Sequence, residues 1–260
     1  LYTTSVEGGL SNNKLSANFS TNDQDGKERY AFAITGDQAN SLYQVQLKDK
    51  LTLNYDNWLF TRNTSILFSK TGFNVNQLVI SKGVEQIAVN SVGRELNAPI
   101  DIKFDQFSLG NIRSLYNGGS LPVDGRLNAN VRVTNIDKNV PTFDGTLSVD
   151  SLQYQNVALG KLAVKATATG AEAVTLQGSL SGNGNNIDVN GTYNQETINA
   201  QLNLNPIQLK SLDPFLQTYL AQSSGTLTGP ITITGNVKRP EWHGTLRFDS
   251  VKTYLAQYGT

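Results

Sequence analysis

Ile198-Asn-Ala-Gln-Leu-Asn-Leu204 alternates apolar and polar residues without a break. A period of two puts Ile198, Ala200, Leu202 and Leu204 on one side of an extended chain and the amides on the other, so the segment reads as a strand with one greasy face. The same pattern recurs at Tyr43–Leu47, Leu51–Tyr55, Phe73–Val75, Ile100–Phe104, Leu127–Val133, Gly145–Val149, Leu162–Ala166, Ile187–Val189 and Ile231–Ile233. Turn-forming clusters punctuate these runs: Asp23-Gln-Asp-Gly26, Asn117-Gly-Gly-Ser120, Gly182-Asn-Gly-Asn-Asn186 and Asn236-Val-Lys-Arg-Pro240. The chain reads as an all-β meander of antiparallel hairpins.

Two stretches break the pattern, Leu109–Tyr116 and Leu209–Leu220. Both space apolar residues by three and four, which predicts two short helices, the second capped by Ser211 or Asp213 ahead of Pro214. They begin 100 residues apart, and their surroundings match. Ile102, Phe104, Phe107, Leu109, Ile112 and Leu115 correspond to Leu202, Leu204, Ile207, Leu209, Leu212 and Phe215. Gly125, Leu127, Val131 and Val133 continue onto Gly225, Leu227, Ile231 and Ile233. After a slip of one residue, Pro141-Thr-Phe-Asp-Gly-Thr-Leu-Ser-Val-Asp-Ser151 matches Pro240-Glu-Trp-His-Gly-Thr-Leu-Arg-Phe-Asp-Ser250. An internal repeat over approximately 100–199 and 200–260, the second copy truncated, is the expectation. Because an array of this kind has no natural stop, residues 1–260 are expected to be one structural segment of a longer chain.

Composition narrows the function classes. The 260 residues carry 21 basic and 21 acidic side chains, a formal charge of zero, and charged residues are only 16% of the chain. No basic footprint for nucleic acid is present. Cysteine is absent, which removes disulfides, thiolate zinc sites and cysteine nucleophiles together. No apolar run reaches the roughly 18 residues that a spanning helix requires, so any membrane anchor is expected in the parent chain.

Catalytic sets are likewise missing. His243 is the sole histidine, and its counterpart in the other repeat is Asp144, so it reads as a solvent-side strand residue and the chain as no enzyme. Asp23-Gln-Asp-Gly26 has part of a calcium loop, but Thr21 and Phe32 stand where ligands are needed, leaving a hairpin turn. Gly182-Asn-Gly184 lacks the following helix of a phosphate loop. No cofactor or metal is expected. Asp150-Ser-Leu152 and Asp249-Ser-Val251 fit an O-glycosylation signal of one group of envelope-dwelling bacteria, and Asn18-Phe-Ser20 and Asn63-Thr-Ser65 the eukaryotic N-linked one; three-residue signals recur by chance, and each reads first as a strand ending in a polar turn.

The strand and small helix at 104–116 and 204–220, the Gly-x-Leu hairpins at 125 and 225 with their Pro-Thr-Phe-Asp-Gly145 and Pro-Glu-Trp-His-Gly244 strands, and Asp56-Asn-Trp58 followed by Ile87-Ala-Val-Asn-Ser-Val-Gly93 carry a resemblance. The chain resembles the C-terminal region of TamB-type translocation and assembly proteins, within the AsmA-like, bridge-like lipid-transfer group. That resemblance implies a β-taco, a long antiparallel sheet folded into an open U-shaped groove lined with apolar side chains. It also implies a periplasm-spanning conduit for phospholipid acyl chains in outer-membrane biogenesis, an inner-membrane anchor on the parent chain, and an Omp85-class barrel partner. A scaffold for outer-membrane barrel assembly and a surface β-array adhesin are the competing functions. Period-two alternation alone fits a closed sandwich core as well as a groove. The residues assigned to the groove are Val75, Val79, Ile102, Phe104, Val131, Val133, Phe143, Leu147, Val149, Val164, Leu176, Val189, Leu202, Leu204, Ile231, Ile233, Trp242, Leu246 and Phe248.

Overall fold

Extended backbone is what alternation of period two dictates. The computed structural model describes residues 2–39, 41–61, 64–111, 122–138, 140–170, 173–217 and 219–255. Nineteen strands among them belong to one antiparallel sheet. The chain divides into two compact units, Leu1–Phe107 with Ala129–Thr142, and Ser108–Asn128 with Phe143–Thr260.

In the first unit, β1 (Thr3–Ser11), β2 (Lys14–Asn22), β3 (Glu28–Ala39) and β4 (Leu42–Leu53) pair in sequence. A register shift opposite Phe32–Ile34 splits β4. Its two halves consequently pair with different strands, β5 (Asp56–Phe60) and β6 (Ser65–Ser69). β7 (Gly72–Asn76) follows β6, β8 (Leu78–Lys82) bridges β5 and β9 (Glu85–Ser91), and β10 (Ile100–Ser108) joins β9. The buried apolar residues of this unit include Leu51, Val75, Ile100 and Phe107 beside Trp58, which is 2% exposed; the Trp58 ring lies 6.0 Å from Phe107, which meets Phe104 edge-on at 5.6 Å.

The boundary between the units falls within β11 (Val123–Thr134) and at the start of β12 (Thr142–Tyr154). In the second unit β12, β13 (Val157–Ala168), β14 (Val174–Gly182), β15 (Asn185–Tyr193), β16 (Thr197–Gln208) and β17 (Leu220–Asn236) form an uninterrupted meander. β18 (Arg239–Gly244) and β19 (Arg247–Leu255) pair with the two ends of β17. The turn clusters act as read. Asn183 and Gly184, with φ of +50° and +79°, make the two-residue loop between β14 and β15, the left-handed pair that favours a tight hairpin. Asp23 Oδ1 accepts from the backbone N–H groups of Asp25 and Lys27 in the turn before β3. The cluster Asn117–Ser120 lies outside the described residues.

The helical segments depart from expectation in length and capping. Leu109–Asn111 is helical, and the remainder of that segment lies outside the described residues. The second helical segment is a 3₁₀ turn, Leu209–Leu212, followed by one α-turn, Asp213–Leu216, with Pro214 in the first turn. It stops before residue 220 because β17 begins there. Neither Ser211 nor Asp213 caps it. Ser211 is buried and bonded to Asn185, while Asp213 Oδ2 accepts from the backbone N–H of Ser223.

Candidate functional site

Strand register decides which side chains share a face, because successive residues point to opposite sides. In the second unit one row runs Leu147, Val164, Gly178, Val189, Leu202, Ile231 across β12 to β17. A parallel row runs Val149, Leu162, Leu180, Ile187, Leu204. A third runs Ala166, Leu176, Gly191, Ala200, Ile233, Trp242. Phe143 faces Ala168 and Phe248 faces Leu227 on this same side, with Leu246 two residues before Phe248. The opposite face is polar along its whole width: Thr146, Lys165, Gln177, Asn190, Gln201, Thr232 and His243 are successive cross-strand partners. All thirteen groove residues assigned from sequence between 143 and 248 therefore share the apolar face.

Among the described residues, the 3₁₀ turn packs over one end of that face. Leu209 of the 3₁₀ turn packs with Leu204, Ile207 and Leu227, and Leu212, Ile187 and Ile231 border this cluster. Beyond it Val149, Ala168, Ala200 and Ile233 are buried as well, and the other apolar side chains of the face are half-buried or open. Leu176 is 37% exposed, Trp242 62% and Phe248 60%. A sealed sandwich core buries such residues almost fully, so around Leu176, Trp242 and Phe248 the face is an accessible apolar surface.

Asn185, 3% exposed, fastens the turn to the sheet. Its Nδ2 donates to the Leu159 carbonyl at 2.8 Å and to Ser211 Oγ at 2.9 Å, and its Oδ1 accepts from the Gln208 backbone N–H at 2.9 Å. Its position in the Gly182–Asn186 loop marks it as a turn residue, and nothing in the alternation pattern signals this second role.

The first unit carries an apolar face of its own. Val6 faces Phe19, Phe19 faces Phe32 and Phe32 faces Leu51, which faces Trp58. Val75 faces Ile66, Ile102 faces Val89, and Phe104 faces Ile87 on the same side. Cross-strand rings stack at 5.1 Å in both Phe19–Phe32 and Tyr43–Phe68. A cleft of about 170 Å³ opens among Leu10, Leu15, Gly36, Tyr43 and Val45. Arg132 grips Asp101 with two bonds of 2.6 and 2.7 Å, which puts its neighbours Val131 and Val133 on the side away from Asp101, that of Ile102. The Arg132 guanidinium holds the Asp101 carboxyl below its ordinary pKa, chiefly by hydrogen bonding.

Val79 is the exception among the assigned residues. It faces Ala88, whereas its neighbours Leu78 and Ile80 face Val89 and Ile87, so Val79 lies on the reverse of the face holding Ile102 and Phe104. Gln77 adopts φ +50° between β7 and β8, and this left-handed residue interrupts the alternation that would carry the face of Val75 forward to Val79. Residues not assigned from sequence, among them Phe19, Phe32, Trp58, Leu162 and Ile187, complete the two faces.

No cluster of His, Asp or Glu able to hold a metal occurs among the described residues. His243 is 72% exposed, and Glu241 lies 3.8 Å away. No helix among the described residues is long and apolar enough to cross a membrane.

Residues 100–248, from the first residue of β10 into β19, match the family model described as TamB, N-terminal domain. The chain belongs to the TamB family. The matching model is the N-terminal domain, whereas the resemblance read from sequence pointed to the C-terminal region. Membership in the TamB family implies a bacterial envelope protein with a role in the translocation and assembly module or in lipid transport. No curated protein and no solved structure matches the chain.

Proposed function

We propose that this TamB-family chain is a non-enzymatic segment of a lipid conduit, holding phospholipid acyl chains against its apolar sheet faces in the periplasm. The observation that carries this reading is the clean division of the second unit: every assigned groove residue on one face, and an unbroken polar row on the other. Strands satisfy their own backbone hydrogen bonds, so the face offers acyl chains side-chain carbon without unpaired polar groups. Each methylene leaving water contributes about 0.8 kcal/mol. The attraction is non-directional, and a lipid held by it slides at little cost. The parent chain is anchored in the inner membrane in this reading, with an Omp85-class barrel as its outer-membrane partner.

Native mass spectrometry of the purified chain after exposure to phospholipid vesicles tests the proposal. Retained phospholipid is expected. A chain that emerges lipid-free but binds unfolded outer-membrane barrel strands would replace the conduit with the assembly scaffold.

A further inference from the structure

The two Asp-Ser tripeptides occupy the same backbone feature. Ser151 and Ser250 are both exposed and both adopt left-handed backbone, φ +53° and +54°. Each sits where its strand carries extra residues: the ladder of β12 with β13 shifts between Val149 and Leu152, and that of β17 with β19 shifts between Ser224 and Thr226. Each bulge pushes its carbonyls toward a glycine on the neighbouring strand. A Cβ on Gly125 would lie 3.1 Å from the Asp150 carbonyl oxygen, and one on Gly225 2.6 Å from that of Asp249.

A bulge needs a residue that tolerates left-handed backbone, and Gly or Asn does so at least cost. Among the described residues, Asn fills seven of the fourteen non-glycine positions with positive φ, and Ser41, Tyr55, Gln77, Gln106 and Gln155 fill five of the others. Serine stands at both bulges instead, each time after Asp and before an aliphatic residue, although the flanking Gln153-Tyr154 and Lys252-Thr253 have diverged. Geometry alone does not select serine there. Both serines are exposed at the bulge; Ser250 Oγ donates to Asp249 Oδ1 at 3.1 Å, whereas the Asp150 carboxylate pairs with Lys161 at 2.9 Å and accepts from Asn128.

We infer that Ser151 and Ser250 are O-glycosylation sites, modified by an envelope glycosyltransferase that reads the Asp-Ser-aliphatic bulge. The serine Oγ attacks the anomeric carbon of a sugar carried on a polyprenyl pyrophosphate. The bond from that carbon to the phosphate oxygen breaks, the pyrophosphate leaves with the electron pair, and the hydroxyl proton passes to a base of the transferase. This inference is independent of the lipid reading.

The test is intact-mass measurement and glycopeptide sequencing of the full-length protein isolated from its native cell envelope, with S151N, S250N and the double variant alongside. Asn suits the left-handed backbone and lacks the nucleophile, so all variants are expected to keep the wild-type melting temperature. The wild-type protein is expected to carry one glycan on each serine, each single variant to lose its own, and the double variant to lose both. Bare Ser151 and Ser250 peptides in the wild-type protein, or glycan mass that persists in the double variant, would overturn the inference.

Discussion

The rings of Tyr154 and Phe215 stack with centroids 4.6 Å apart and planes within 2° of parallel. Tyr154 ends β12, and Phe215 belongs to the α-turn that follows the 3₁₀ turn over the apolar face. Phe215 is 58% exposed, so the pair holds the turn more by ring-to-ring contact than by burial. Such pairs contribute about 0.5–1.5 kcal/mol beyond area terms. F215A and Y154A should each lower stability in urea, and the double-mutant cycle should show coupling of about 1 kcal/mol. Strict additivity would mean that the stack contributes nothing.

Asn185 should matter more than either ring. N185A leaves the buried Leu159 carbonyl and the Gln208 N–H without the side-chain bonds they make to it. Each such loss costs about 1–3 kcal/mol, so a destabilisation of about 2–4 kcal/mol is expected from urea midpoints. S211A removes only side-chain partners of Asn185 and should cost clearly less. Equal losses in the two variants would show that the backbone anchors are not what Asn185 provides.

The Asp101–Arg132 pair predicts a small acid dependence. Hydrogen bonding to Arg132 depresses the Asp101 pKa in the folded state, so its unfolded value, about 3.9, is the higher one. The unfolded chain takes up the proton first as pH falls. The pair's contribution is therefore complete above about pH 4 and disappears as pH drops through the depressed folded value. Both side chains are about half exposed, and solvent screening keeps the effect modest. Melting temperatures of wild type and D101N should differ at neutral pH and converge in strong acid. A difference that grows with acidification would reverse the sign of this linkage.

Where the sequence alternates cleanly, facing is legible in the residues alone. Ile198, Ala200, Leu202 and Leu204 lie on one face in the order their spacing dictates, and the same holds for Leu147, Val149 and Val164. Where apolar residues run together, as in Leu78-Val-Ile80, either face fits the pattern, and a single left-handed residue at Gln77 decides the matter. Ser211 shows a second limit. A serine ahead of a helical turn has the chemistry of a cap, but an asparagine from a distant hairpin claimed its hydroxyl. Local sequence carries the period; it does not carry which distant polar group arrives first.

Adjacent residues on β14 give the sharpest test of the apolar face. Leu176 and Gln177 are neighbours in sequence and sit on opposite sides of the sheet, Leu176 facing Ala166 and Gly191, Gln177 facing Lys165 and Asn190. Leu176 is already 37% exposed, so a long cationic side chain there can reach water without opening the core, as Arg at the buried Leu204 could not. L176R puts a charge where acyl chains are proposed to lie and should reduce phospholipid retention in native mass spectra several-fold. Q177R adds the same charge to the polar face and should leave retention near the wild-type level. Circular dichroism should show unchanged strand content in both. If the two variants retain lipid equally, the acyl chains do not lie on the face that carries Leu176.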